Sequence, residues 1–466
     1  MAYTAEDLPE LVGKIVDAAI EAQLSWFGMN GTVDGGFEGT DAGRGIHISP
    51  LGGRYNGSTF EKGGQVTDPF TGTPTTLPIP PGWPFDSLQG LVDYYTTEIH
   101  ELFRPWITRP RPADFDGAVQ ATFNAAKAIA ATGNPNPKTG DAWDPAVDLY
   151  TSIDVVNTNV AGFRGEAMWH LQKDVTARIP HSLEGLGAVA SVLYAAAHGE
   201  AEAWKNGADG LTDIMVKSID AMKASDISAG GGGDIVAVLN VVGALSAILG
   251  PLTLGASSAA FAIAGTVLQT SKDFIPEKKE QPVPLGADNP VAVLTKIREA
   301  LEQLSDDIAT EETAIQSMVR TVSQLPGWED GTYDLAEPRI LQHTDPSYFD
   351  EIQTDADELR RIASSIETEI SPVLGGAATQ LDSATEFAPW QRPSGMGLGT
   401  YGGWGEYAHL TNTVRDSLRS SEAYLNHCAD VVRLIARSFT MTDAGIRAGL
   451  EQIAGEVDRD PAIDDD

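Results

Sequence analysis

The sequence is poor in cysteine and in basic residues. Its 466 residues include one cysteine, Cys428, so no internal disulfide can form, and 31 Lys and Arg stand against 66 Asp and Glu. The formal net charge of −35 disfavours binding to nucleic acid or to an anionic membrane surface by electrostatic attraction. Cys428 falls on the apolar face of a predicted helix, which predicts a thiol packed in the core rather than a reactive one.

The sequence also lacks the motifs that carry catalysis, metals or cofactors. Its histidines are scattered, with no His-Glu-x-x-His, no cysteine cluster and no Gly-x-Ser-x-Gly. The Gly-x-Gly-x-x-Gly pattern at 397–402 follows Pro393-Ser394 rather than a strand, which favours a helix-capping loop over a dinucleotide site. Adjacent carboxylates such as Asp306-Asp307 and Glu311-Glu312 are predicted on the solvated face of a helix. We therefore expect a non-enzymatic protein without metal or cofactor.

Charge is absent from one long segment. No charged residue occurs between Asp234 and Lys272, although 21% of the chain is charged. Gly250-Pro251 at its centre predicts two apolar helices of roughly 15 and 17 residues joined by a tight turn. Each helix would span about 22–26 Å, a little less than the ~30 Å hydrocarbon core, so both membrane insertion and burial within a bundle fit this length. The residues that we expect to insert into a membrane or a partner are Ile235, Val238, Leu239, Leu245, Leu249, Gly250, Pro251, Leu254, Phe261 and Leu268.

The rest of the sequence has mainly helical periodicity. Apolar residues alternate steps of four and three over 297–325, 352–373 and 414–439, which is typical of helices packed side by side at about 20°. The region 30–86 is rich in Gly, Pro, Thr and Asn, which predicts a long loop or a small β-containing excursion. The sequence therefore predicts an all-α protein. We expect an elongated helical bundle with heptad-spaced long helices, a central uncharged apolar helical hairpin and an irregular Gly/Pro-rich N-terminal excursion.

Composition divides the chain into five parts. Gly230–Gly233 precede the uncharged segment and several prolines follow it, so both of its flanks are predicted to be linkers. The predicted parts are N-terminal helices with the irregular insertion (1–140), a helical hairpin (141–229), the apolar hairpin with its linkers (230–290), a C-terminal helical bundle (291–457) and an acidic tail (458–466).

Two segments resemble the WxG-type helical hairpin proteins of actinobacterial type VII secretion. In that family an amphipathic helix ends in a short Trp-x-Gly turn, and a second helix runs antiparallel to the first. Here a helix over 148–161 leads into Phe-Arg-Gly at 163–165, and Trp-Gly at 404–405 precedes a helix over 407–438. The family's export signal, Tyr-x-x-x-Asp/Glu, has its best match on the helix beside the first turn. The residues to which the resemblance assigns the turn and the secretion motif are Tyr150, Asp154, Phe163, Gly165, Trp404 and Gly405.

The resemblance implies a secreted protein that acts at or beyond the cell envelope. The expected partner is a helical protein or a second copy of the chain, with a membrane as a further candidate and no nucleic acid. Residues 1–11 are acidic and lack a basic segment followed by an apolar run, so we expect export without a cleavable signal peptide. The layout also resembles cytolysin A-type α-pore-forming toxins, which are helical bundles with an apolar tongue. The sequence leaves open a pore-forming subunit, a structural component of an extracellular or virion assembly, and a merely buried helix pair.

Overall fold

Helices dominate the computed structural model of the chain. It describes residues 7–41, 44–48, 66–67, 74, 76, 77, 79, 81–130, 134–135, 142–143, 146–225, 235–239, 241, 281–328, 333, 335, 341, 355–438 and 443–457. The α-helices in these ranges are α1 (Leu8–Trp26), α2 (Leu88–Ile107), α3 (Asp116–Ile129), α4 (Val147–Val160), α5 (Glu166–His170), α6 (Ile179–Ala224), α7 (Pro290–Ser323), α8 (Ala356–Ser365), α9 (Ser371–Asp382), α10 (Trp404–Ser438) and α11 (Asp443–Val457). The predicted all-α helical bundle is confirmed.

Short strands interrupt the helices at three places. The strands are β1 (Met29–Thr32), β2 (Gly36–Asp41), β3 (Arg44–Ile48), β4 (Val66–Thr67), β5 (Asn134–Pro135), β6 (Ala142–Trp143), β7 (Val236–Leu239) and β8 (Gln281–Pro284). The first four form one antiparallel sheet in the order β1-β2-β3-β4, and the others form two-stranded ribbons. The sheet lies in the Gly-rich region after α1, where the sequence predicted a small β-containing excursion.

The 46-residue helix α6 is the centre of the bundle, and it packs against α1, α3, α7 and α10. Two of its glycines allow α7 to approach closely. A Cβ at Gly207 would lie 2.9 Å from Cδ1 of Ile308, and one at Gly210 would lie 3.0 Å from Cδ1 of Leu304. Interiors are packed so densely that an added methyl group at either position would force the helices apart. One hydrophobic core extends from α1 to α11 through these contacts.

The heptad run predicted over 352–373 contains a π turn. In the described part of this run, α8 continues into a π-helical turn at Ile366–Ile370 and then into α9, whose first turn contains Pro372. Proline has no backbone N–H to donate to the carbonyl one turn earlier, and a π turn absorbs the resulting mismatch. The apolar face continues across the turn, because Ile366, Ile370 and Leu374 are all fully buried.

The structure differs from the prediction at the start of the uncharged segment. Residues 236–239 form a β-strand rather than the first turn of an apolar helix, and β7 pairs with β8 in antiparallel register. A short apolar run has no period that separates a strand from a buried helix, and the valines in this run favour a strand. Pro282 and Pro284, which were predicted in a linker, lie in β8. The rest of the predicted hairpin, residue 240 and residues 242–268, lies outside the described residues.

Candidate functional site

The β7–β8 ribbon, which we call the neck, joins the two ends of the segment between residues 240 and 280. The Cα partners are Val236 with Pro284 at one end of the ribbon and Leu239 with Gln281 at the other. The backbone N–H of Leu285 donates to the carbonyl of Ile235 at 2.8 Å and extends the pairing. The register therefore places residues 239 and 281 directly beside each other, and Val241, two residues beyond the strand, is still fully buried in the core.

Side chains of α6 and α7 fix the neck to the bundle. The backbone N–H of Val238 donates to Asp213 Oδ2 on α6 at 2.8 Å, which satisfies a donor on the outer edge of β7. Gln281 Nε2 donates to Asp307 Oδ1 on α7 at 3.1 Å. Leu239 is fully buried, and its Cδ2 would lie 3.4 Å from a Cβ at Gly210. The neck is thus held on both helices by polar and apolar contacts.

A second set of contacts holds the C-terminal end of α6 next to the N-terminal end of α7. The indole N–H of Trp26, the last residue of α1, is within 3.2 Å of the carbonyls of Ser225, just after α6, and Asp288, just before α7. The Trp26 ring packs edge-on against Trp83 at 5.8 Å between ring centroids. Two separate sets of contacts therefore hold the chain before and after the uncharged segment side by side.

The structure describes three of the residues predicted to insert. Ile235 is partly buried against the core, Val238 is 40% exposed and Leu239 is buried. Outside the described residues lie Leu245, Leu249, Gly250, Pro251, Leu254, Phe261 and Leu268.

The first WxG-like segment forms a tight turn between two helices. After α4 ends, the N–H of Phe163 donates to the carbonyl of Val160 at 3.0 Å, and Gly165 has φ +116°, a conformation that L side chains rarely adopt. The chain then reverses, so that α4 packs against the π turn at Leu171–Thr176 and against α6. Glycine is therefore required at position 165 by the backbone itself.

The two residues of the predicted export signal lie one turn apart on α4. Tyr150 is partly buried and donates its hydroxyl to the carbonyl of Ile129 at 3.1 Å. Asp154 is exposed to solvent. The tyrosine therefore contributes to packing between α4 and the end of α3, whereas the carboxylate is available on the surface.

The second WxG-like segment has a different geometry. Trp404 opens α10, and its ring packs edge-on against Phe387 at 5.0 Å between centroids. Gly405 lies within the first turn of the helix, where an added Cβ would meet no atom within 4 Å. The preceding helix, α9, ends at Asp382, so a loop with 3₁₀ turns separates the two helices instead of a short turn. The glycine here is not needed for a chain reversal.

Sequence reasoning missed a cluster of buried charges where α6, α7 and the 391–403 loop meet. Glu200, Glu311 and Glu312 are fully buried, and Arg392 is 5% exposed. The guanidinium of Arg392 forms an ion pair with Glu312 and lies 5.3 Å from the ring centroid of Trp204, in cation–π range. The predicted solvated face for Glu311-Glu312 is therefore wrong, because Arg392 lies on a loop far along the chain and supplies the counter-charge to Glu312. The same prediction for Asp306-Asp307 is right for Asp306, which is exposed, and wrong for Asp307, which is buried and accepts hydrogen bonds from Gln281 and Gln303.

The glycines of the 397–402 pattern fit around this ion pair. Gly397 and Gly402 have φ values of +57° and +51°. A Cβ at Gly397 would collide with Glu312, and one at Gly402 would collide with the guanidinium of Arg392. The N–H of Leu398 donates to Glu312, and the N–H of Gly397 donates to Ser305 Oγ at 3.1 Å. The pattern thus forms a loop that covers a buried ion pair immediately before α10.

Burial dominates the electrostatics of this region. Burial raises the pKa of Glu200 to about 7. The nearby charge of Arg392 lowers this pKa, and that of Glu311 raises it by a smaller amount. Burial also raises the pKa of Tyr407, whose ring packs on Trp390. The thiol of Cys428 is fully buried and its pKa is raised for the same reason, which confirms the predicted packed core thiol.

Among the described residues, no group of three or more His, Cys, Asp or Glu side chains is placed to hold a metal ion. No helix within the described ranges is long and apolar enough to cross a membrane. No family model, curated protein or solved structure matches the chain.

Proposed function

We propose that this protein is a secreted, non-enzymatic helical protein of a type VII secretion-like kind that acts at or beyond the cell envelope. In this proposal its uncharged segment inserts into a membrane or a partner protein. The observation that carries the proposal is the neck, whose paired strands bring both ends of that segment together and are held against α6 and α7. In this proposal the part of the segment beyond the buried Val241 inserts, while the paired strands of the neck keep the bundle folded.

The chemistry of the segment supports insertion by apolar burial. Between the neck strands, residues 240–271 contain no charged side chain. Each Val, Leu, Ile or Phe side chain taken out of water contributes about 1.5–3 kcal/mol. The net charge of −35 offers no attraction to anionic lipid, so apolar burial has to drive the association. A zwitterionic bilayer is therefore the proper test surface.

A charge placed in the segment tests insertion. We expect Ala247→Asp to weaken binding to phosphatidylcholine vesicles on the order of 100-fold, because a central carboxylate costs about 2.5–3.5 kcal/mol on the insertion scale. The measurement is a vesicle titration followed by sedimentation. Ala247→Ser is the matched control, and it should bind like the unmodified protein. Equal binding by all three proteins would exclude insertion of this part of the segment.

Export is supported by the tight turn at Gly165 and by the Tyr150–Asp154 pair on α4. Because Asp154 is exposed and Tyr150 is packed, Asp154→Ala is the change that removes the signal without disturbing the fold. We expect this variant to stay in the cells of a host with type VII secretion, measured as the ratio of protein in the medium to protein in the cells. Asp148→Ala, an exposed carboxylate on the same helix, should be released normally. Normal release of the Asp154 variant would remove this export assignment.

A further inference from the structure

The buried charge cluster has an excess of acid. Glu200 on α6 and Glu312 on α7 are both fully buried, and both interact with one guanidinium, that of Arg392. That guanidinium is already ion-paired with Glu312. A buried carboxylate without its own counter-charge is strongly disfavoured in the ionised form, and the simplest remedy is to take up a proton.

The element that closes the cluster is a loop, whereas its other two sides are long helices. The 391–403 loop bears Arg392 and is held to α7 by a few hydrogen bonds, from Leu398 to Glu312, from Gly397 to Ser305 and from Ser305 to the carbonyl of Gly395. Local opening of such a loop disrupts far less packing than separation of α6 from α7. Opening would admit water to the cluster.

We propose that Glu200 is a proton-dependent switch that holds the 391–403 loop closed over the bundle in mildly acidic solution and weakens that closure in mildly alkaline solution. With Glu200 protonated, the closed loop covers a neutral acid beside the Arg392–Glu312 ion pair. With Glu200 ionised, closure leaves an excess negative charge in the core, and opening relieves it by hydration.

The charged and titratable groups around Glu200 come from the loop, from α7 and from α10, and their effects on its protonation differ in sign. The loop contributes Arg392, which favours the ionised form, and α7 contributes Glu311 and Glu312, of which Glu311 favours the protonated form. On α10, Tyr407 packs on Trp390, two residues from Arg392, and burial raises the pKa of this phenol, so it stays neutral. The fully buried side chains of α1, α3 and α4, which also pack on α6, include no titratable group, and Asp17 on α1 and Tyr150 on α4 are only partly buried.

The sign of the pH dependence follows from linkage. The pKa of Glu200 rises from 4.5 to about 7 in the closed state, because burial outweighs the attraction to Arg392. The closed state therefore binds the proton more tightly than a hydrated state. Its extra stability is fully present below pH 4.5 and is lost as the pH rises through about 7. Above that pH, both states are ionised and no further change is expected from this residue.

Hydrogen exchange of the loop amides, corrected for the intrinsic effect of pH, tests the switch locally. We expect protection of residues 397–403 to fall at least roughly tenfold between pH 6 and pH 8.5, since one pKa unit corresponds to a factor of ten. In Glu200→Gln, a neutral mimic of the protonated acid, protection should be the same at both pH values. Glu202→Gln is the matched control, because Glu202 lies on the same helix but pairs with Lys205 at the surface. It should behave like the unmodified protein.

A second variant keeps the test decisive if Glu200→Gln fails to fold. Glu311 favours protonation of Glu200, so Glu311→Gln should move the midpoint of the change in loop protection to lower pH. Asp17 on α1 also has a raised pKa, of about 6, which affects global stability and makes the local readout necessary. Loop protection that does not depend on pH in the unmodified protein, or that depends on it equally in Glu200→Gln, would overturn the proposal. An unmoved midpoint in Glu311→Gln would also contradict it.

Discussion

Replacing Arg392 with alanine is expected to lower the free energy of unfolding by about 3–5 kcal/mol. The change leaves Glu312 buried without its counter-charge and removes a guanidinium from the face of Trp204. Breaking a buried ion pair from one side costs far more than the intact pair contributes, because the remaining charge stays dehydrated. Chemical denaturation monitored by circular dichroism measures the effect.

Two further variants separate this mechanism from simple loss of packing. Combining Arg392→Ala with Glu312→Gln should recover part of the loss, because glutamine is neutral and still offers an oxygen to the N–H of Leu398. Arg360→Ala removes an exposed ion pair with Asp357 and should change stability by less than about 1 kcal/mol. If Arg392→Ala were as mild as Arg360→Ala, the buried pair would not stabilise the loop.

Replacing residues 242–271 with a short Gly/Ser linker should leave the bundle folded and remove its affinity for membranes. The neck supports a folded bundle, because residues 239 and 281 are paired and a shorter connection between them leaves that pairing intact. The replaced residues carry no charge, which is why we expect their removal to abolish the affinity for membranes. Thermal unfolding should therefore show one cooperative transition near that of the intact protein. An unfolded or molten variant would instead indicate that the segment is part of the core.

Periodicity predicted the helical architecture because apolar spacing records which face of each helix is buried. The four-three spacing over 297–325 falls within α7 and the residues just after it, and its apolar positions, such as Ile297 and Leu304, are fully buried. The same spacing includes Glu311, which is also fully buried. A charged residue at a core position was therefore visible in the sequence, but the pattern does not reveal its partner.

The neck and the charge cluster could not be predicted because both depend on contacts between distant parts of the chain. Arg392 forms an ion pair with Glu312, which lies 80 residues earlier in the sequence, and its charge acts on Glu200, which lies almost two hundred residues earlier. The strand at 236–239 forms because residues 281–284 pair with it, although they carry two prolines that read as a linker. Local composition says nothing of either pairing. The turn at Gly165 was predictable because it depends on local geometry: its backbone has a positive φ, which favours glycine at that position.

Flotation with phosphatidylcholine vesicles in a density gradient tests the central claim most directly. The purified intact protein and the variant with the linker at 242–271 are compared at the same concentration. We predict that the intact protein rises with the vesicles and that the linker variant, shown to be folded, stays at the bottom. Release of trapped dye by the intact protein alone would further favour the pore-forming alternative. If neither protein floats, or if both float equally, the uncharged segment is not the membrane-inserting part of this protein.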